Sequence, residues 1–435
     1  MFLRSTVAQC AASMLHPAKL RYVKASIICG ILAFLVSAGL FELGAFRAPD
    51  AALAAFIEQP SPPVVGRLLQ LFLALAASLG IAWTTIDIGR FSLKCAVMLV
   101  ALAECVTAVW VADLFDEYFS PFATLTAIIT AFIIALIYSQ TGPGRRKHAL
   151  YQLLGDRVSA STFATLLNCD VPLKFEGEVR NATTVVCEIF NHEELMSDMR
   201  VNDYVAMTNS FLRNSADFLV EHGGYLDECD GESLRVVFGA PMPELAHAAR
   251  ACEAALALAE RLDAVNKECQ QVWQHIFDYR IGINSGEIII AAYGSGRLGA
   301  FSVAGEPVEF ARRLCAANTI YGSKILIGAA TFNDVEEIIE ARPMELIHRH
   351  RDSSPEEVYE LLGKKGDLPE PVSQKREHFW KGVILFRSNQ WDEALAHFRS
   401  AVAISEADGP SEFYIRRIEQ KRAGEPSLDW SSARL

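Results

Sequence analysis

Four long apolar runs open the chain, at about 25–46, 68–86, 95–112 and 119–138. Each is close to the ~20 residues that a helix needs to cross hydrocarbon. From about 181 to 362 the pattern changes to short β-type runs alternating with helical spacing, as in a compact α/β domain. Residues 183–189 predict the first strand. Residues 202–222 follow as a helix with Tyr204, Met207, Phe211 and Phe218 on one face, stopped by Gly223-Gly224. Runs at 225–228 and 234–238 flank Asp230-Gly231, a pair suited to the positive φ angles of a tight turn. A helix at 244–264, strands near 279–284, 287–292 and 301–304, a helix at about 307–317 and a strand at 324–327 complete the series. The order strand, helix, hairpin, helix, strand predicts a ferredoxin-like βαββαβ sheet with its helices on one face.

This divides the chain into a membrane domain with four transmembrane helices (1–143), a linker helix (144–180), the α/β domain (181–365), a helical module (373–423) and a tail (424–435). Leu150, Leu153, Leu154, Phe163, Leu166 and Leu167 give the linker its helical pattern. Positive charge orients the membrane domain. Arg4, Lys19, Arg21 and Lys24 precede the first span, Arg90 and Lys94 separate the second and third, and Arg145, Arg146 and Lys147 follow the fourth. Those segments are expected to be cytoplasmic, with both termini, in a multi-pass protein of a plasma membrane, with a bacterial inner membrane expected. The opposite connections carry Pro60, Pro62 and Pro63, or Asp113, Asp116 and Glu117, and leave no room for an external sensor domain. The first 23 residues lack the compact apolar stretch and small-residue cleavage site of a signal peptide.

Within the third span stands Glu104, an ionisable group at membrane depth and so a functional candidate. Its carboxyl could equally face the bundle and bond Thr107 or a neighbouring helix for packing alone.

At 435 residues, 51% of them apolar, the chain exceeds what one soluble domain requires. The formal charge of −12 excludes a general nucleic-acid binder, since phosphate backbones are held by clustered Lys and Arg. Ten cysteines without a Cys-x-x-Cys pair read as reduced, mostly buried thiols rather than a disulfide framework. Cys187 and Cys229 are among those expected in the core.

Three blocks carry chemistry. The first is Glu221-His222-Gly223-Gly224-Tyr225-Leu226-Asp227, then Gly231-Glu232 and Val237-Phe238-Gly239-Ala240-Pro241. The second is Arg280-Ile281-Gly282-Ile283-Asn284-Ser285-Gly286-Glu287. The third is Gly305-x-x-Val308-x-x-Ala311-x-Arg313-Leu314. In this order and spacing, over about 147–362, they resemble the class III adenylate and guanylate cyclases. The module at 373–423, with Gly382, Phe386, Ala394, Leu395, Phe398 and Ala401, resembles one tetratricopeptide unit, which cannot bury its apolar face alone. Asp408-Gly409-Pro410-Ser411 and Asp429-Trp430 resemble the ends of some bacterial cyclases.

The resemblance implies that a ribose 3′-hydroxyl attacks the α-phosphorus of a nucleoside triphosphate, ATP or GTP, giving cyclic nucleotide and pyrophosphate. Two divalent ions, Mg²⁺ or Mn²⁺, would be held by paired carboxylates. A homodimer is implied, because in the family the site forms between two subunits. The metal-binding aspartates correspond here to Glu188, in the pattern Asp-Ile-x-x-Phe with His192 in place of the Phe, and to Glu232. The base-selecting positions hold Glu228, as in guanylate cyclases, and Ala300. The transition-state pair corresponds to Glu309, where an Asn is expected, and Arg313, which matches. Each glutamate adds a methylene and a rotor to the metal site. Glu309 puts negative charge where a neutral donor would stabilise developing charge. His192 with Glu193 or Glu194 could form a different metal site, although i and i+4 meet on a helix and this segment begins as a strand.

Two function classes follow. One is a membrane-anchored dimeric nucleotidyl cyclase using Glu188, Glu232 and Arg313. The other is a pseudocyclase, a signalling and dimerisation module that keeps the fold without turnover. A transporter fits less well, since the spans are few.

Overall fold

The computed structural model describes residues 17–56, 65–88, 91–115, 117–141, 150, 153–168, 177–295, 298–347, 354–404 and 408–424. The arginines and lysine at 145–147, the prolines at 60–63, most of the linker before Leu153 and the tail from 425 lie outside the described residues. Two compact units emerge, Met1–Gln152 with Phe163–Asp170, and Leu153–Thr162 with Val171–Leu435.

The first unit contains α1 (Pro17–Glu42), α2 (Arg47–Phe56), α3 (Arg67–Asp87), α4 (Phe91–Asp113) and α5 (Pro121–Ser139). Among the described residues, four of these helices are long and apolar enough to cross a membrane: α1, α3, α4 and α5. The first apolar run stops being helical at Glu42 because Gly44 turns the chain at φ 71°. Ala33, Ile81, Ile128 and Ala131 form the shared core. Ser120 donates a hydrogen bond to the Asp50 carboxylate at 2.8 Å, tying the start of α5 to α2. α6 (Ala160–Asn168) follows in the linker.

The second unit is built on an eight-stranded sheet: β1 (Glu178–Ile189), β2 (Tyr225–Cys229), β3 (Ser233–Phe238), β4 (Tyr279–Ser295), β5 (Leu298–Ala304), β6 (Ile325–Gly328), β7 (Ile339–Ile347) and β8 (Glu356–Lys364). The order is β2-β3-β1-β4-β6-β8-β7, with β5 paired to β4. β1, β2, β3 and β4 pair antiparallel as a ferredoxin-like βαββαβ core requires. Where two strands were expected at 279–292, β4 is one. β1 pairs with it without interruption from Glu178↔Ile290 to Ile189↔Tyr279, so Ser285 and Gly286 stay extended.

The helices are α7 (His192–Asp198), α8 (Val201–Leu212), α9 (Phe218–Glu221), α10 (His247–Trp273), α11 (Glu306–Tyr321) and α12 (Ala329–Val335). They do not all lie on one face. Val185, Cys187 and Ile189 of β1 pack with Phe211, Leu258 and Leu262, while the alternate residue Val186 packs on Ala311 and Cys315 of α11. Successive strand residues point oppositely, so α11 covers the second face.

α13 (Glu370–Arg387), α14 (Trp391–Ile404) and α15 (Gly409–Ala423) form the C-terminal module. Its apolar face is buried against the α/β domain. Phe379, Phe398, Phe413 and Tyr414 share a core with Phe310, Leu314 and Tyr321 of α11 and with Met344 and Val358 of the sheet. All cysteines described are free, and Cys187 is buried. Cys229 is exposed, contrary to expectation, because it closes β2 at the turn.

Candidate active site

Glycine decides how α11 meets the sheet. A Cβ on Gly282 would lie 2.2 Å from the Ala311 carbonyl oxygen and 2.3 Å from the Cys315 nitrogen, so α11 touches β4 backbone to backbone. Gly286 gives Pro307 the same clearance, at 2.7 Å. Asn284 adds a hydrogen bond from Nδ2 to the Pro307 carbonyl at 3.3 Å. The start of α11 is thereby fixed over β1 and β4. Glu309 stands exposed in its first turn, where acidic groups suit the helix dipole, and Arg313 sits one turn further on.

Glu188 points to the same face as Val186, toward α11. Burial pushes its carboxyl above the ordinary glutamate range. Arg312 and His192 pull it back, while Asp230 and Glu232 push it further up. Glu232 lies in the β2–β3 turn beside it, where the Glu232 carbonyl accepts a hydrogen bond from the Ile189 nitrogen at 2.9 Å. Register therefore brings together two carboxylates 44 positions apart in sequence. His192 opens α7, and its Nε2 lies 3.3 Å from the Glu232 carboxylate. Glu193 and Glu194 are exposed, and the described residues hold no group of three or more His, Cys, Asp or Glu suited to a metal. The pairing of His192 is thus with Glu232. Two carboxylates alone fit a hard cation that completes its shell with water and phosphate oxygens, as Mg²⁺ does.

Glu228 is held by Arg235 at 2.8 Å. The β2–β3 ladder shifts between Leu226 and Glu228, a bulge that sets both Asp227 and Glu228 opposite Arg235. Asp227 is fully buried, receives Arg235 at 2.6 Å and accepts from the Val303 nitrogen at 3.2 Å. Arg157 donates to its carbonyl oxygen at 2.8 Å. Ala300 pairs with Tyr293 in the β4–β5 ladder, and its side chain lies outside the described ones.

Residues 176–342 match the model of the adenylate and guanylate cyclase catalytic domain. This stretch is a class III cyclase-family domain. Adenylate cyclase 1 of Rhizobium meliloti is 24% identical to the chain over 184 residues, 42% of this chain and 28% of that protein. An uncharacterized Mycobacterium tuberculosis protein is 30% identical over 165 residues, 38% of this chain and again 28% of the relative. The chain thus matches under a third of the length of these curated relatives. The crystal structure of the adenylyl cyclase CyaB from P. aeruginosa aligns at 22% identity and a TM-score of 0.41, covering 44% of this chain and 99% of that one.

Sequence reasoning missed three features of the cyclase domain: Arg235, Arg312 and the contact of His192 with Glu232. A readable signal existed for Arg235. A lone arginine among the apolar residues of β3, opposite an Asp-Glu pair across a tight turn, is a cross-strand ion pair in waiting.

Proposed function

We propose that the chain is a membrane-anchored nucleotidyl cyclase of cyclic-nucleotide signalling, acting as a homodimer through its cyclase domain and converting ATP or GTP to cyclic nucleotide and pyrophosphate. The observation that carries this reading is the convergence of Glu188 and Glu232 beside the β1–β3 register, on the face that α11 covers. These two carboxylates would hold Mg²⁺ or Mn²⁺, which supply charge neutralisation of the triphosphate and activation of the ribose hydroxyl. Arg313 would stabilise negative charge developing on phosphate. Mn²⁺ suits the longer glutamates better, because Mg²⁺ demands tighter geometry. The four apolar helices support anchorage, and the Lys and Arg residues that flank them in the sequence support cytoplasmic chain ends.

Two observations favour the second reading, a pseudocyclase that relays a membrane event through the same dimer. Glu309 presents a carboxylate where charge would develop, and Arg235 already neutralises the base-selecting Glu228. Cyclic nucleotide formation separates the two. Full-length protein in membranes is given ATP or GTP with Mg²⁺ or Mn²⁺, alongside Arg313→Ala. Product that vanishes in the variant establishes the enzyme; folded, dimeric protein without product under any condition establishes the pseudocyclase.

A further inference from the structure

Among the helices able to span a membrane, α4 is the least covered. Only 11% of its apolar window is buried, against 28%, 39% and 44% for α1, α3 and α5. Glu104 lies on its exposed side. The Thr107 hydroxyl donates to the Glu104 carbonyl oxygen at 2.8 Å, not to its carboxyl, and no described residue bonds that carboxyl. Of the two readings open from sequence, the inward-facing one is thereby overturned. Glu104 stands two residues past the midpoint of Phe91–Asp113, about 3 Å along the axis at ~1.5 Å per residue. Its side chain is far too short to reach either interface of a core ~30 Å thick.

We propose that α4 is the surface through which two copies of this chain pair inside the membrane, Glu104 of each seated against Glu104 and Thr107 of the other. The inference rests on the membrane-anchored, dimeric reading given above. A carboxyl in hydrocarbon is satisfied only by another polar group, and membrane helices associate through such bonds and through close backbone approach. The same exposed side of α4 carries Ala96, Val100, Ala103 and Thr107, mostly small residues that let a second helix come near. An identical chain answers both needs. Copies inserted in one orientation and related by a two-fold axis along the membrane normal bring the same residue to the same depth. Glu104 then meets a carboxyl and a hydroxyl rather than lipid.

Cysteine cross-linking in native membranes tests this with full-length protein. Ala103→Cys and Thr107→Cys should each give a disulfide-linked dimer above the background of the unsubstituted chain, whose Cys105 is buried. Adding Glu104→Leu to Ala103→Cys should lower that product about three- to tenfold, the range for one interhelical polar contact, while Glu104→Gln should largely retain it. A chain retained in the membrane that forms no dimer at either position, or one linked only to a different protein, overturns the pairing alone. Cross-linking unchanged by Glu104→Leu overturns the role of the carboxyl. Release of the chain by alkaline carbonate overturns the membrane reading together with this one. Pairing in a chain that makes no cyclic nucleotide removes the enzyme reading and leaves this inference standing.

Discussion

Asp408 accepts two hydrogen bonds from the Arg342 guanidinium, at 2.8 and 3.1 Å, and both side chains are almost wholly withdrawn from water. One residue opens the last helix, where its carboxylate also accepts from the Ser411 nitrogen at 3.3 Å. The other lies in β7, where it also reaches Glu360 at 2.5 Å. This buried triad joins the C-terminal module to the cyclase domain. Removing one partner leaves a buried charge short of its counter-ion, so Asp408→Asn should cost about 3 kcal/mol. Urea unfolding followed by the fluorescence of Trp380 and Trp391, both in the module, measures the loss.

The same pair gives a pH dependence. Despite its burial, Arg342 holds the Asp408 carboxyl below its ordinary value. The folded state therefore prefers the ionised form, and the stabilisation is complete above the unfolded value of about 3.9. As the pH falls further, through the depressed folded value, it is lost. Acid unfolding of the wild type should show this loss and Asp408→Asn should not. An unchanged acid transition in the variant would contradict the assignment.

Among the described residues, the Asp227 carboxylate has its ion pair with Arg235, and its side chain is 0% exposed. Arg235→Met should destabilise the cyclase domain by about 3–5 kcal/mol, chiefly because Asp227 is left charged and buried. The double variant with Asp227→Asn should recover part of that loss. Thermal unfolding of the single and double variants checks both.

Gly282→Ala would press a methyl group into the backbone of α11. The expected cost is about 1–3 kcal/mol of overpacking, with displacement of the helix bearing Arg313. A lowered melting temperature and, where product forms, reduced cyclic nucleotide output should appear together. Wild-type stability would show that α11 shifts freely.

On the proposed cyclase reading, Glu309→Asn would put a neutral hydrogen-bond donor at the transition-state position. Turnover should rise at least tenfold, since a single such donor is typically worth about 10²–10³ in rate. Initial rates of cyclic nucleotide formation, compared with Arg313→Ala, give the answer.

Much of this arrangement was legible in the chain. The β-type run at 183–189, the Asp230-Gly231 turn and the helical spacing of Met207 and Phe211 are local signals, and the structure places a strand, a turn and a helix there. So is the glycine at 282, although its purpose, clearance for α11, depends on a segment 29 residues later. What escaped was long-range electrostatics. Nothing near His192 announces Glu232, and nothing near Glu188 announces Arg312, because strand register and helix placement bring these charges together. β7 and β8 escaped too, as their pairing is set by register rather than by a turn of recognisable composition.

The helix that bears Arg313 is gripped on two sides, by the glycine-cleared backbone of β4 and by the aromatic core of the C-terminal module. Recombination between genes that cut this chain after β8 would hand over a cyclase-type fold with Phe310, Leu314 and Tyr321 bared to water. A chain that keeps this apolar face on α11 therefore needs a cover for it, and a change of volume on either side of the seam is felt by the other.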